Sequence, residues 1–109
     1  MFARVGTFSG PPERVDDGVT RQAREETFRI LQSIPGFVGV HVFADRQTGK
    51  TIAISLWETE FAARAWEQMR GPIVDEQVRP TGHSEQESAT YELLFSSTGD
   101  ARLLASATS

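Results

Sequence analysis

The sequence predicts an α+β domain in the order β-α-β-β-α-β, the ferredoxin-like arrangement of an antiparallel four-stranded sheet with two helices on one face. Three observations support this. Apolar residues alternate in short stretches, recur every three or four residues in the two stretches between them, and Pro and Gly fall at the joins. The 109 residues make one domain, expected over 1–96 with a tail over 97–109.

The first strand is "FARVGTF" (2–8), closed by "SGPP". From Glu13 the period changes: Val15, Val19, Ala23, Thr27, Ile30 and Ile34 mark one face of a helix ending near Ser33, before Pro35-Gly36. Gly18 inside it costs ~1 kcal/mol against alanine, which weakens the first turns. "FVGVHVF" (37–43) and "TIAISLWE" (51–58) form a hairpin around "ADRQTGK". Thr59 is a helix N-cap, and the helix 60–70 sets Phe61, Ala62, Ala65, Trp66 and Met69 on one face. Gly71-Pro72 interrupts that helix, and "IVDEQV" makes a short second one. "RPTGHSEQES" reads as a polar loop and "ATYELLF" (89–95) as the last strand.

"FVGVHVF" and "ATYELLF" carry large apolar residues on both faces, whereas a two-layer monomer leaves one sheet face wet. A second copy of the chain is the simplest cover, so a homodimer with sheets face to face, a dimeric α+β barrel, is expected.

Composition excludes several functions. The net charge of −4 and eleven scattered basic residues argue against nucleic acid, whose binding rests on neutralised phosphates. With no cysteine there is no disulfide framework, thiolate metal site or thiol nucleophile. No apolar run approaches ~18 residues and the N-terminus does not read as a signal peptide, so no membrane partner and a cytoplasmic location are expected.

No strong catalytic motif is present: there is no GxGxxG, no complete phosphate-binding loop, no HExxH and no GxSxG. His41 and His83 lack neighbouring ligands at metal-binding spacing, so no metal site is expected. His41, pointing opposite to Val40 and Val42, reads as a general base or an axial ligand, or else as a histidine in a sheet face bonded to a carboxylate or a water. His83, in the polar loop, is expected to be solvated. The acid pairs Asp16-Asp17, Glu25-Glu26 and Asp75-Glu76 read as hydrated helix surface.

Trp66 stands out. An indole is larger than the ~10 Å spacing of a helix on a sheet requires, and its N–H needs a partner when buried. It is either core filling or the wall of a cavity for a flat organic molecule. Phe28, Leu31, Phe61 and Met69 would line that cavity, with Arg4 on the first strand. Trp57, at a strand end beside the helix cap, reads as structural.

"PGFVGVHVF" (35–43), a hairpin and then "LWETEFAARAW" (56–66) resemble the dimeric α+β barrels of the antibiotic-biosynthesis monooxygenase type, a likeness covering most of residues 1–95. That family includes cofactor-free oxygenases of polyketide anthrones and quinols, and haem-degrading monooxygenases. The resemblance puts Trp66 where its oxygenases place a helix tryptophan. The haem branch adds an asparagine close to Gly6 and an axial histidine near Glu76 or Gln77. This chain has no asparagine and no histidine there, and its only tyrosine, Tyr91, lies on the last strand rather than a helix.

The implied function is a cofactor-independent monooxygenase acting on a flat aromatic or quinol-like molecule, with no cofactor. Trp66 would orient the ring, and Arg4 or His41 would stabilise the substrate anion. The alternatives are a non-catalytic barrel that binds a small hydrophobic ligand and, behind it, a haem-binding or haem-degrading protein.

Overall fold

A computed structural model describes residues 1–97. The strands are β1 (Phe2–Ser9), β2 (Phe37–Ala44), β3 (Lys50–Trp57) and β4 (Ser84–Glu92); the helices are α1 (Gly18–Gln32) and α2 (Glu60–Ile73). They make one four-stranded sheet in the order β2-β3-β1-β4, antiparallel throughout. This is the expected β-α-β-β-α-β arrangement, with the two helices on one face. Among the described residues no helix is long and apolar enough to cross a membrane. The expected tail lies, apart from its first residue, outside the described residues.

Three boundaries differ from the sequence expectation, each for a local reason. Helix α1 starts at Gly18 rather than near Glu13, because the Asp17 carboxylate caps it, accepting from Thr20 N at 2.8 Å. The preceding residues form a tight 3-10 turn at Pro12–Arg14, and Val15 is buried beneath it. Helix α2 runs through Gly71-Pro72 to Ile73 and opens into a wide turn at Val74–Val78. Pro72 sits in the last helical turn, where it cannot donate to the Gln68 carbonyl one turn back, and the wide turn directly follows it. Finally, β4 begins at Ser84 and ends at Glu92, five residues earlier than expected at its start. It is an edge strand paired only with β1, so the polar run "SEQES" suits it. Leu93, Leu94 and Phe95 lie beyond it and are exposed.

The acid pair at the start of α1 is structural rather than merely hydrated. Asp16 gathers Arg21, Arg24 and Arg46 within 3.5 Å. The hydrogen bonds from Arg24 and Arg46 hold its carboxyl below the usual range.

The core lies where the ends of both helices meet β2 and β3: Leu31, Ile34, Trp57, Ala62, Ala63 and Trp66. Aromatic contacts cross it in series, with Phe28 against Phe37 at 6.2 Å, Phe37 against Trp57 at 5.5 Å and Trp57 against Trp66 at 6.3 Å. Gly36, at φ +87°, makes the turn into β2, and a Cβ there would meet Ala62 Cβ at 2.7 Å. The close seating of α2 on this turn therefore requires glycine.

Candidate functional site

Away from that core, helix α1 and the sheet enclose a cavity of about 570 Å³. It exists because side-chain volume is missing on both sides. The sheet contributes Gly6, Ala53 and Ser55, and α1 faces them with Thr20, Ala23 and Thr27. Large groups close the ends: Phe28, Leu31 and Trp66 at one, Phe8 and Val15 towards the other. A mostly apolar hollow with a few polar groups along it is the form that small-molecule sites take.

Arg4 is the charged group of the floor. It is only 8% exposed, Nη1 donates to Thr90 Oγ1 at 2.8 Å, and Glu67 lies 3.6 Å away. Its Nε is sealed from solvent and has no partner among the described residues. Ser55 beside it is fixed by a relay: Trp57 Nε1 donates to Ser55 Oγ at 2.9 Å, and Ser55 Oγ donates to the Arg4 carbonyl at 3.4 Å.

Arg70 reaches in from α2 and is held by the Glu85 carboxylate of β4. Burial, and then the neighbouring charge of Arg4, press its guanidinium below the ordinary arginine value. A Cβ at Gly6 would press on the Phe8 ring at 3.2 Å, while Glu85 Oε2 would lie at an ordinary 3.7 Å.

Of the residues expected to form a site, Arg4, Phe28, Leu31 and Trp66 border one cavity. Trp66 is both core and wall, stacking on Trp57 with one face and lining the hollow. Phe61 and Met69 correct the expectation. They are 83% and 45% exposed and border no part of it. Helix α2 turns Ala62, Ala63 and Trp66 inward, with Arg70 following on the same stripe. Arg70 can occupy an inner position because Glu85 balances its charge there.

His41 is a second correction. Val40 and Val42 line the cavity, so His41 points to the opposite face of the sheet, paired with Ile54. It cannot reach a ligand in this cavity. His83, expected in solvent, is instead 6% exposed and borders the cavity. The polar residues around it hid this, because burial comes from Gly10 packing against its ring. No group of acids and histidines that could hold a metal occurs among the described residues.

No protein-family model matches the chain. Uncharacterized proteins of Mycobacterium tuberculosis do. MT2635 of strain CDC 1551 / Oshkosh is 41% identical over 75 residues, which is 69% of this chain and 31% of that protein. Rv2557 of strain H37Rv is 36% identical over 75 residues, 69% of this chain and 33% of that one. The chain thus spans about a third of the length of the curated relatives it matches.

Among solved structures, a candidate antibiotic biosynthesis monooxygenase of Deinococcus radiodurans superposes with a TM-score of 0.68 at 18% identity, covering 90% of this chain and 97% of that one. SnoaB, a cofactor-independent oxygenase of Streptomyces nogalater, gives 0.65 at 16% identity over 87% and 94%. The fold is that of the antibiotic-biosynthesis monooxygenases. A Streptomyces coelicolor monooxygenase with this fold, ActVA-Orf6, solved with the ligand nanaomycin D, gives 0.65 at 16% identity over 91% and 92%. At such identity the antibiotic-biosynthesis monooxygenase likeness concerns fold, and the chemistry has to be argued from the cavity itself.

Proposed function

We propose that the chain is a cofactor-independent monooxygenase domain whose cavity takes a flat aromatic or quinol-like molecule. The observation that supports this most directly is Arg4, a guanidinium sealed into an apolar cavity beside an indole wall, with one donor unpartnered. A buried cation of this kind is worth most to a ligand that becomes anionic. Trp66 offers a flat face against which a fused ring can stack. Once a ring methylene has lost a proton, its carbanion can react with O2. One oxygen atom becomes the ring carbonyl and the other leaves as water, so the substrate itself supplies the electrons. The fold shared with SnoaB and ActVA-Orf6 supports this reading.

The functional unit in this reading is a homodimer. The sheet face away from the helices carries Val5, Ile52, Ile54 and Leu56 at its centre, with Phe43 and Tyr91 each 58% exposed at its flanks. A second copy would cover that apolar surface.

The test is binding and turnover of a flat aromatic probe with a ring methylene. Anthrone, offered with oxygen, should be consumed by the wild type, and Arg4→Gln should lose most of that turnover while keeping the fold. Binding without oxygen uptake by the wild type would reduce the protein to a ligand-binding barrel.

A further inference from the structure

The cavity has a second polar end that the reading above leaves unused. Arg4 and Phe8 stand four residues apart on β1, about 13 Å at strand rise. His83 directly precedes Ser84, the partner of Ser9, and so sits at the far end from Arg4. Its surroundings define its proton. Thr81 Oγ1 donates to the Val78 carbonyl at 2.5 Å. A hydroxyl has one proton, so its 2.8 Å contact with His83 Nδ1 must have the ring nitrogen as donor. This hydrogen-bond network assigns the neutral ring as the Nδ1–H tautomer and leaves the lone pair on Nε2.

Nε2 has no hydrogen-bond partner among the described residues, and it is not one of the sealed unpartnered atoms, which are Arg4 Nε and Ser88 Oγ. It is therefore not sealed off, and His83 is one of the residues that border the cavity. Gly10 leaves room for the ring, since a Cβ there would fall 2.4 Å from Cδ2 and 2.8 Å from Nε2, and the Thr81 bond orients it. The result is an oriented imidazole with a free lone pair at the end of a hollow. The charged groups bordering the same space are Arg4, Arg24, Glu25 and Arg70, and Arg14 lies beyond Gly82.

We infer that His83 is the proton acceptor of this cavity, and that the cavity's ligands bear an ionisable hydroxyl at that end. The inference rests on the cavity being the binding site proposed above. The ligand O–H bond breaks and the Nε2–H bond forms. The electron pair remains on the ligand oxygen, and conjugation spreads it through the ring towards Arg4.

The probe is 2-hydroxyanthraquinone, a flat phenol conjugated with a carbonyl, whose phenolate has its own visible band; 2-methoxyanthraquinone is the control. At a pH below ionisation of the free probe, the wild type should bind it with the phenolate band present. His83→Gln, which keeps an acceptor but takes no proton, should bind within about threefold and show the neutral spectrum. A phenolate band undiminished in His83→Gln overturns the inference. So does nitrogen-15 NMR of the unliganded wild type if the proton is on Nε2. Wild-type binding with a wholly neutral spectrum overturns this inference alone. No binding by the wild type overturns the cavity reading as well.

Discussion

Trp57 stacks on Trp66, with ring centroids 6.3 Å apart and planes 25° from parallel, yet the two residues have different neighbours. Trp57 is fully buried and bonds to Ser55, whereas Trp66 also borders the cavity. Trp57→Ala should therefore cost about 3–5 kcal/mol in urea unfolding, the range for emptying an aromatic site in a core. Trp66→Ala should cost less, since its removal extends an existing hollow, and should weaken anthrone binding. Equal stability losses with unchanged binding would make Trp66 an ordinary core residue.

The Arg70–Glu85 pair predicts an asymmetry. Arg70 is the more deeply buried partner, its side chain 12% exposed against 26% for Glu85. Glu85→Gln leaves a guanidinium in an apolar wall without its counter-charge and should destabilise by about 1–3 kcal/mol. Replacing both partners, Arg70→Met with Glu85→Gln, should recover part of that loss. Denaturant unfolding of the single and double variants measures the coupling.

Asp17 predicts an acid response. Hydrogen bonds from Thr20, and next the Arg14 guanidinium, bring its carboxyl from an ordinary value near 3.8 to about 2. A lowered folded value means the charged form is favoured by folding. The contribution is complete above about pH 4 and is lost as the pH falls through about 2. Asp17→Asn keeps a capping oxygen without a titrating group, so its stability should fall less steeply across that window. Thermal unfolding at pH 5, 3 and 2 would show it, and parallel curves would refute it.

Gly10 predicts the position of His83. Gly10→Ala places a methyl group against the imidazole, so the ring must move away from its Thr81 bond. The His83 proton resonances should shift while those of His41, on the opposite sheet face, stay in place. An unmoved His83 would mean the strand end shifts instead.

Ile54 sits at the centre of the open sheet face, paired with Val5 on one side and His41 on the other. If a second copy covers that face, Ile54→Lys should yield a folded monomer in sedimentation, because a buried unpaired lysine is too costly for the interface. A wild-type protein already monomeric would remove the dimer.

Much of this molecule was legible in the sequence because its information is local. Alternation in "FVGVHVF" and "TIAISLW" and the Pro-Gly joins determined the order of elements, and Thr59 and Pro35-Gly36 marked helix boundaries. Arg4, Phe28, Leu31 and Trp66 could be nominated as cavity residues from periodicity and size. Tertiary structure decided what period alone cannot. The inward stripe of α2 was rotated to Ala62, Ala63, Trp66 and Arg70, because a charge is admissible inside once Glu85, fifteen residues away, balances it. Polar "SEQES" became strand because β1 offered an unpaired edge. His83 became buried and oriented because Gly10, remote in sequence, leaves room for its ring and Thr81 Oγ1 accepts the hydrogen bond from its Nδ1–H. Those are contacts between distant residues, and they depend on distances that no local pattern of hydrophobicity records.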